Sequence, residues 1–206
     1  MFSVFDIAIF LASVVAISLS GVMMPGPVTT VTVAKGRESG YAGALVALGH
    51  GVIEIPLMVL IYLGFAQFFS YEIVKRAIGL VGGLMLGFMG VQMLRAREYV
   101  AGEERSLKFS SVFSGVATTG ANPYFFLWWA TIGSALVMNS TLFGLMGFLL
   151  FAVVHWSCDF SWYLFISQAV HKSRRLWTPR VHHIVFGVCA TILIVFGVWF
   201  IYSATK

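Results

Sequence analysis

Two residue pairs carry the chemistry that this sequence offers: His50 with Glu54, and His155 with Asp159. A spacing of four places the members of each pair on one face of a helix. Both pairs sit inside long apolar runs, where an ionisable carboxyl costs roughly 2.5–3.5 kcal/mol on insertion scales and is retained where protein or a water-filled cavity receives it. Two imidazoles and two carboxyls can pass protons, hold a substrate ammonium, or supply nitrogen and oxygen ligands to a divalent metal. The competing reading for each carboxyl is a protonated group hydrogen-bonded to a neighbouring helix; for each histidine it is a locally satisfied buried ring. Trp162 and Tyr163, about one turn after Asp159, are candidates for the wall of a pocket.

These residues need elements that bring them to a polar interior, and the stretch Gly21–Thr30 points to one. Pro25-Gly26-Pro27 follows about twenty nearly uninterrupted apolar residues. Each proline removes a backbone donor and crowds the carbonyl four residues back, so a regular helix cannot continue. In hydrocarbon the freed carbonyls must be met by protein or by a wet cavity. The break is therefore expected to line a polar site, the alternative being a kink that only helps packing. Thr29, with Thr30 and Thr32, could offer hydroxyls there or bond back to its own helix. Asn122-Pro123 forms a second break, and Pro56 predicts irregular backbone near Glu54.

The composition, 59% hydrophobic and 10% charged with a mean hydropathy of +0.92, belongs to an integral membrane protein. Six segments reach spanning length at about 5–34, 41–65, 77–94, 109–137, 142–170 and 181–202. The expected fold is all-α and polytopic: a single transmembrane domain over 1–206, with broken helices one and four. Lys and Arg divide ten to three between the loops after spans one, three and five and the opposite side. This bias predicts both termini on the non-cytoplasmic side of the plasma membrane. The net charge of +5 is thus read as a topology signal, with no nucleic-acid partner expected. Glycines 79, 83 and 87, and the small residues Gly43, Ala47 and Gly51, mark faces where helices approach closely.

Sets of three spans have opposite orientations, giving two inverted repeats at about 1–97 and 108–206. Span two then corresponds to span five, and the two histidine–carboxylate pairs coincide. That is the pattern of a secondary transporter with its site at the midplane. Other classes find no support. Cys158 and Cys189 form no Cys-x-x-Cys, so thiol redox chemistry and thiolate zinc are not indicated, and no cofactor is expected. Ser20-Gly21, Ser39-Gly40 and Ser114-Gly115 lack the glycine of Gly-x-Ser-Gly, and Asp159 follows Ser157-Cys158 instead of Gly-x-Gly, so the chain is not expected to be an enzyme. The acidic, uninterrupted N-terminal run predicts no cleavable signal peptide.

Taken in order, Pro25-Gly26-Pro27, the turn Gly36-Arg37-Glu38-Ser39-Gly40, Asn122-Pro123 and Asp159-x-x-Trp162-Tyr163 resemble the LysE/RhtB family of amino-acid exporters over essentially the whole chain. The resemblance implies proton-driven export of amino acids or related small metabolites, and assembly as a homo-oligomer in the lipid bilayer. It also implies that Pro25, Gly26 and Pro27 form the discontinuity at the substrate site, with Asn122 and Pro123 as its counterpart and Asp159 as the polar residue of span five. His50, Glu54 and His155 depart from the family pattern. They leave open a second function, a divalent metal-ion exporter using the same scaffold.

Overall fold

Proline starts three of the helices and so sets where the chain breaks. The computed structural model describes residues 4–24, 26–65, 71–96, 109–173, 176 and 178–205, which are almost entirely helical and contain no strand. The first apolar segment is two helices, α1 (Val4–Val22) and α2 (Pro27–Glu38). Gly26 is extended between them and Pro27 occupies the first turn of α2, where its missing N–H costs nothing. Pro25 lies outside the described residues. α3 (Ala42–Tyr62) and α4 (Glu72–Ala96) follow.

The fourth segment is the most interrupted. α5 (Ser111–Gly120) starts at a Ser110 cap and stops before Asn122. That residue caps α6 (Pro123–Trp128) by accepting a hydrogen bond from the Tyr124 amide at 3.1 Å. A π-helical turn (Trp129–Gly133) then leads into α7 (Ser134–Thr141), and the Ser134 hydroxyl donates to the Trp129 carbonyl at 2.7 Å. α8 (Gly144–Ser173) and α9 (Pro179–Ala204) complete the chain. Both expected breaks are present. The irregular backbone expected near Pro56 is not: α3 continues as a helix through it, with Pro56 on its exposed side.

Among the described residues, five helices are long and apolar enough to cross a membrane: Phe5–Val22, Ala42–Tyr62, Glu72–Arg95, Gly144–Ser173 and Pro179–Ala204. The fourth segment, divided into short helices, has no single helix of that length. Large apolar side chains such as Leu48 and Val52 on α3, Leu84 on α4, Val153 on α8 and Val195 on α9 face outward, as a lipid-facing surface requires. The protein is an all-α, multi-pass membrane protein. Of the basic residues behind the predicted orientation, Arg97, Arg105, Lys108, Arg174, Arg175 and Lys206 lie outside the described residues.

The packing is reciprocal. α3 lies between α5 and α8, while α8 also packs against α1 and α2; α4 runs along α9. Small residues make these approaches possible. Gly43 faces the Tyr163 carbonyl of α8, Gly115 of α5 faces the Val46 carbonyl of α3, and Gly83 and Gly197 face one another between α4 and α9.

Candidate functional site

The tight α3–α8 contact brings the two histidine–carboxylate pairs together. His50 Nε2 lies 3.0 Å from Glu54 Oε1, and His155 Nε2 lies 3.2 Å from the same oxygen. Both Nε2 atoms lie 3.6 Å from Asp159 Oδ2. The four groups thus alternate imidazole and carboxylate around a closed ring, and none is more than 5% exposed.

Their other nitrogens are held from the flanking broken helices. His50 Nδ1 is 2.8 Å from Thr119 Oγ1 at the end of α5, and His155 Nδ1 is 2.7 Å from Ser18 Oγ near the end of α1. With both rings neutral, one assignment satisfies the ring nitrogens, the two hydroxyls and Glu54 Oε1. Each hydroxyl donates to Nδ1, each neutral ring donates its Nε2–H, and Glu54 Oε1 accepts both. Glu54 Oε2 and Asp159 Oδ2 remain buried without a hydrogen-bond partner. Such oxygens are costly unless a cation or donor meets them.

Aromatic rings keep the imidazoles in place. Phe125 and Tyr163 stand edge-on to His50 with ring centroids 5.3 and 5.8 Å away. Trp128 and Phe151 stack on His155 from 5.6 and 5.7 Å, and Trp129 meets it edge-on at 5.1 Å. Trp129 is the first residue of the π-helical turn, so the irregular backbone re-aims an aromatic ring at the site.

The ring forms one wall of a cavity of about 280 Å³. Gly26, Pro27, Val28 and Thr29 line another part, as do Asn122, Tyr124 and the aromatic side chains of Phe196 and Trp199 on α9. The two helix starts differ there. Asn122 caps α6, whereas no side chain caps α2, and its first internal hydrogen bond is Thr30 N to Gly26 O at 2.9 Å. The Val28 and Thr29 amides are thus left at the positive end of a helix dipole.

Of the sequence-predicted residues, His50, Glu54, His155, Asp159, Gly26, Pro27, Thr29, Asn122 and Tyr163 all border this cavity. Pro123 and Trp162 do not; Trp162 instead stacks on Phe165 with centroids 5.7 Å apart. Ser18 and Thr119 were not legible as site residues. Most span hydroxyls bond back to their own helix, as Ser20 and Thr118 do.

This arrangement, a broken first helix and an acidic ring closed between α3 and α8, can be set beside known proteins. Residues 19–204 match the profile of the LysE type translocators. The chain belongs to the LysE type translocator family. The resemblance of its four motifs, in order, is thereby borne out, and membrane translocation is the family's activity class. The chain is 27% identical over 205 residues to the Bacillus subtilis (strain 168) protein named "Putative amino acid efflux protein YcgF", covering 96% of this chain and 97% of that one. It is 26% identical over 200 residues to the Pseudomonas aeruginosa "Chemotactic transduction protein ChpE", covering 91% of this chain and 95% of the other. No solved structure matches this chain.

Proposed function

We propose that this protein exports an amino acid or a similar small zwitterion across the plasma membrane, coupled to protons. The observation that carries this reading is that one cavity holds both an uncapped helix start and a buried acidic ring. The Val28 and Thr29 amides suit a substrate carboxylate. Asp159 Oδ2 and Glu54 Oε2 suit the ammonium, and a proton that one of these two carboxyls holds in the empty cavity leaves as the ammonium binds. At about 280 Å³ the cavity falls near the lower end of small-molecule sites, about 300–1,000 Å³, which favours a single amino acid over a peptide. The name of the Bacillus subtilis relative, with its reference to amino acid efflux, agrees.

In the same proposal the chain is one transporter domain of six spans in two inverted repeats, about 1–97 and 108–206, with both termini outside the cytoplasm and copies assembled as a homo-oligomer. The reciprocal packing of α3 on α5 and of α8 on α1 supports the repeat. Export then follows from rocking one repeat against the other about the ring, which breaks and remakes the Ser18–His155 and Thr119–His50 bonds.

The test is the melting temperature of purified, metal-free protein against a panel of amino acids. A ligand at 100 times its Kd adds about 2.7 kcal/mol, a rise of roughly 5–10 °C for a chain of this size. A clear rise with one chemical class of amino acid is the expected result. No rise with any amino acid at tens of millimolar, together with a rise for another metabolite class, contradicts the proposal.

A further inference from the structure

We propose that the ring between α3 and α8 binds a divalent transition-metal ion, with His50 Nε2, one oxygen each of Glu54 and Asp159, and His155 Nε2 as ligands. This goes beyond the transport reading and does not rest on it.

The ligand atoms lie close together. One ligand atom each from His50, Glu54 and Asp159 lies within 4.8 Å of the others. His155 Nε2 joins them at 3.2 Å from Glu54 Oε1 and 3.6 Å from Asp159 Oδ2. Nitrogen and oxygen ligands about 2.0–2.2 Å from a tetrahedral ion lie roughly 3.3–3.6 Å apart, close to the four imidazole–carboxylate distances of 3.0, 3.2, 3.6 and 3.6 Å around the ring. Independently of spacing, two buried carboxylate oxygens, Glu54 Oε2 and Asp159 Oδ2, have no hydrogen-bond partner.

The two imidazoles are also held in a fixed orientation. Ser18 and Thr119 engage Nδ1 on each histidine and turn Nε2 inward. Groups that fix the far nitrogen in this way position metal-binding imidazoles generally. On metal binding each ring moves its proton to Nδ1 and donates to the hydroxyl oxygen, a reversal of roles that a hydroxyl permits.

Charge and donor type select the ion. Two carboxylates neutralise a divalent cation, and two neutral imidazoles add none, so the loaded ring is neutral within a buried site. A mixed nitrogen–oxygen set suits Zn²⁺, Co²⁺, Ni²⁺ or Cu²⁺, whereas Mg²⁺ and Ca²⁺ favour oxygen alone. A bound ion occupies the oxygens that the proposed substrate ammonium would meet, so the two exclude each other.

The experiment uses full-length, tag-free protein in detergent, treated with chelator and without amino acid. It is titrated with Zn²⁺, and separately with Co²⁺ and Cu²⁺ as spectroscopic probes. We expect one Zn²⁺ per chain, Co²⁺ absorption of a low-coordinate site, and Cu²⁺ resonance with coupling to two imidazole nitrogens. The last readout needs no variant. His50→Gln weakens Zn²⁺ binding by more than about 100-fold, and Thr119→Val, which removes no ligand, by about 10–100-fold. Absence of one-to-one binding overturns the proposal, as does Cu²⁺ coupling to fewer than two nitrogens. Zn²⁺ affinity unchanged in a well-folded His50→Gln protein also overturns it. Stabilisation by an amino acid, or its absence, leaves these results untouched, so the two proposals can fail separately.

Discussion

Asp159→Asn is expected to weaken amino-acid binding by about 30-fold to several thousand-fold while leaving the ligand-free protein folded. The range follows from about 2–5 kcal/mol for removing one partner of a buried charge pair, at about 1.4 kcal/mol per factor of ten. Asp159 suits the test better than Glu54 because of what each supports. Glu54 Oε1 receives both imidazoles, at 3.0 and 3.2 Å, so its loss disturbs the whole ring. Asp159 Oδ2 has no hydrogen-bond partner, so an amide of the same shape removes the charge with little local rearrangement. The measurement is the substrate-induced rise in melting temperature, wild type against variant. A variant that retains the full rise shows that Asp159 does not meet the substrate.

The second large effect is on stability. Gly43→Ala and Gly115→Ala are each expected to cost about 3 kcal/mol or more, the upper range for overpacking a well-packed contact. A methyl group at Gly43 would overlap the Tyr163 carbonyl, and one at Gly115 the Val46 carbonyl. Backbone cannot step aside as a flexible side chain can, so α3 must separate from α8 or from α5. The first separation also opens the acidic ring. Gly87→Ala is the control: its added methyl meets nothing within 4 Å, and alanine is the better helix former by about 0.5–1 kcal/mol. Melting temperature and yield of monodisperse protein check all three. Equal stability of Gly43→Ala and Gly87→Ala would contradict the packing described for α3.

Much of the site is legible from residue type and spacing because burying ionisable groups in an apolar span is expensive. His50, Glu54, His155 and Asp159 announce themselves this way, and the prolines announce the helix breaks. Other features depend on geometry that spacing does not encode. Trp162 and Tyr163 follow Asp159 by three and four positions, and either suits the same helix face. The rotation of α8 places only Tyr163 at the cavity. Ser18 and Thr119 look like any span hydroxyl until the opposing helix supplies a histidine nitrogen at 2.7–2.8 Å. Pro56 leaves α3 helical on its exposed side, while the irregular turn at Trp129–Gly133 has no proline at all. That turn forms around a tryptophan ring packed over Gly133 and a serine that satisfies a displaced carbonyl.

The central claim, that this cavity carries an amino acid across the membrane with protons, is tested most directly in proteoliposomes. Vesicles containing purified protein are loaded with the labelled amino acid that stabilises it, and efflux is followed with and without an imposed pH gradient. Efflux above that of protein-free vesicles, accelerated by the gradient and lost in Asp159→Asn, is the expected result. Efflux equal to that of protein-free vesicles, or equal in wild type and Asp159→Asn, would contradict it.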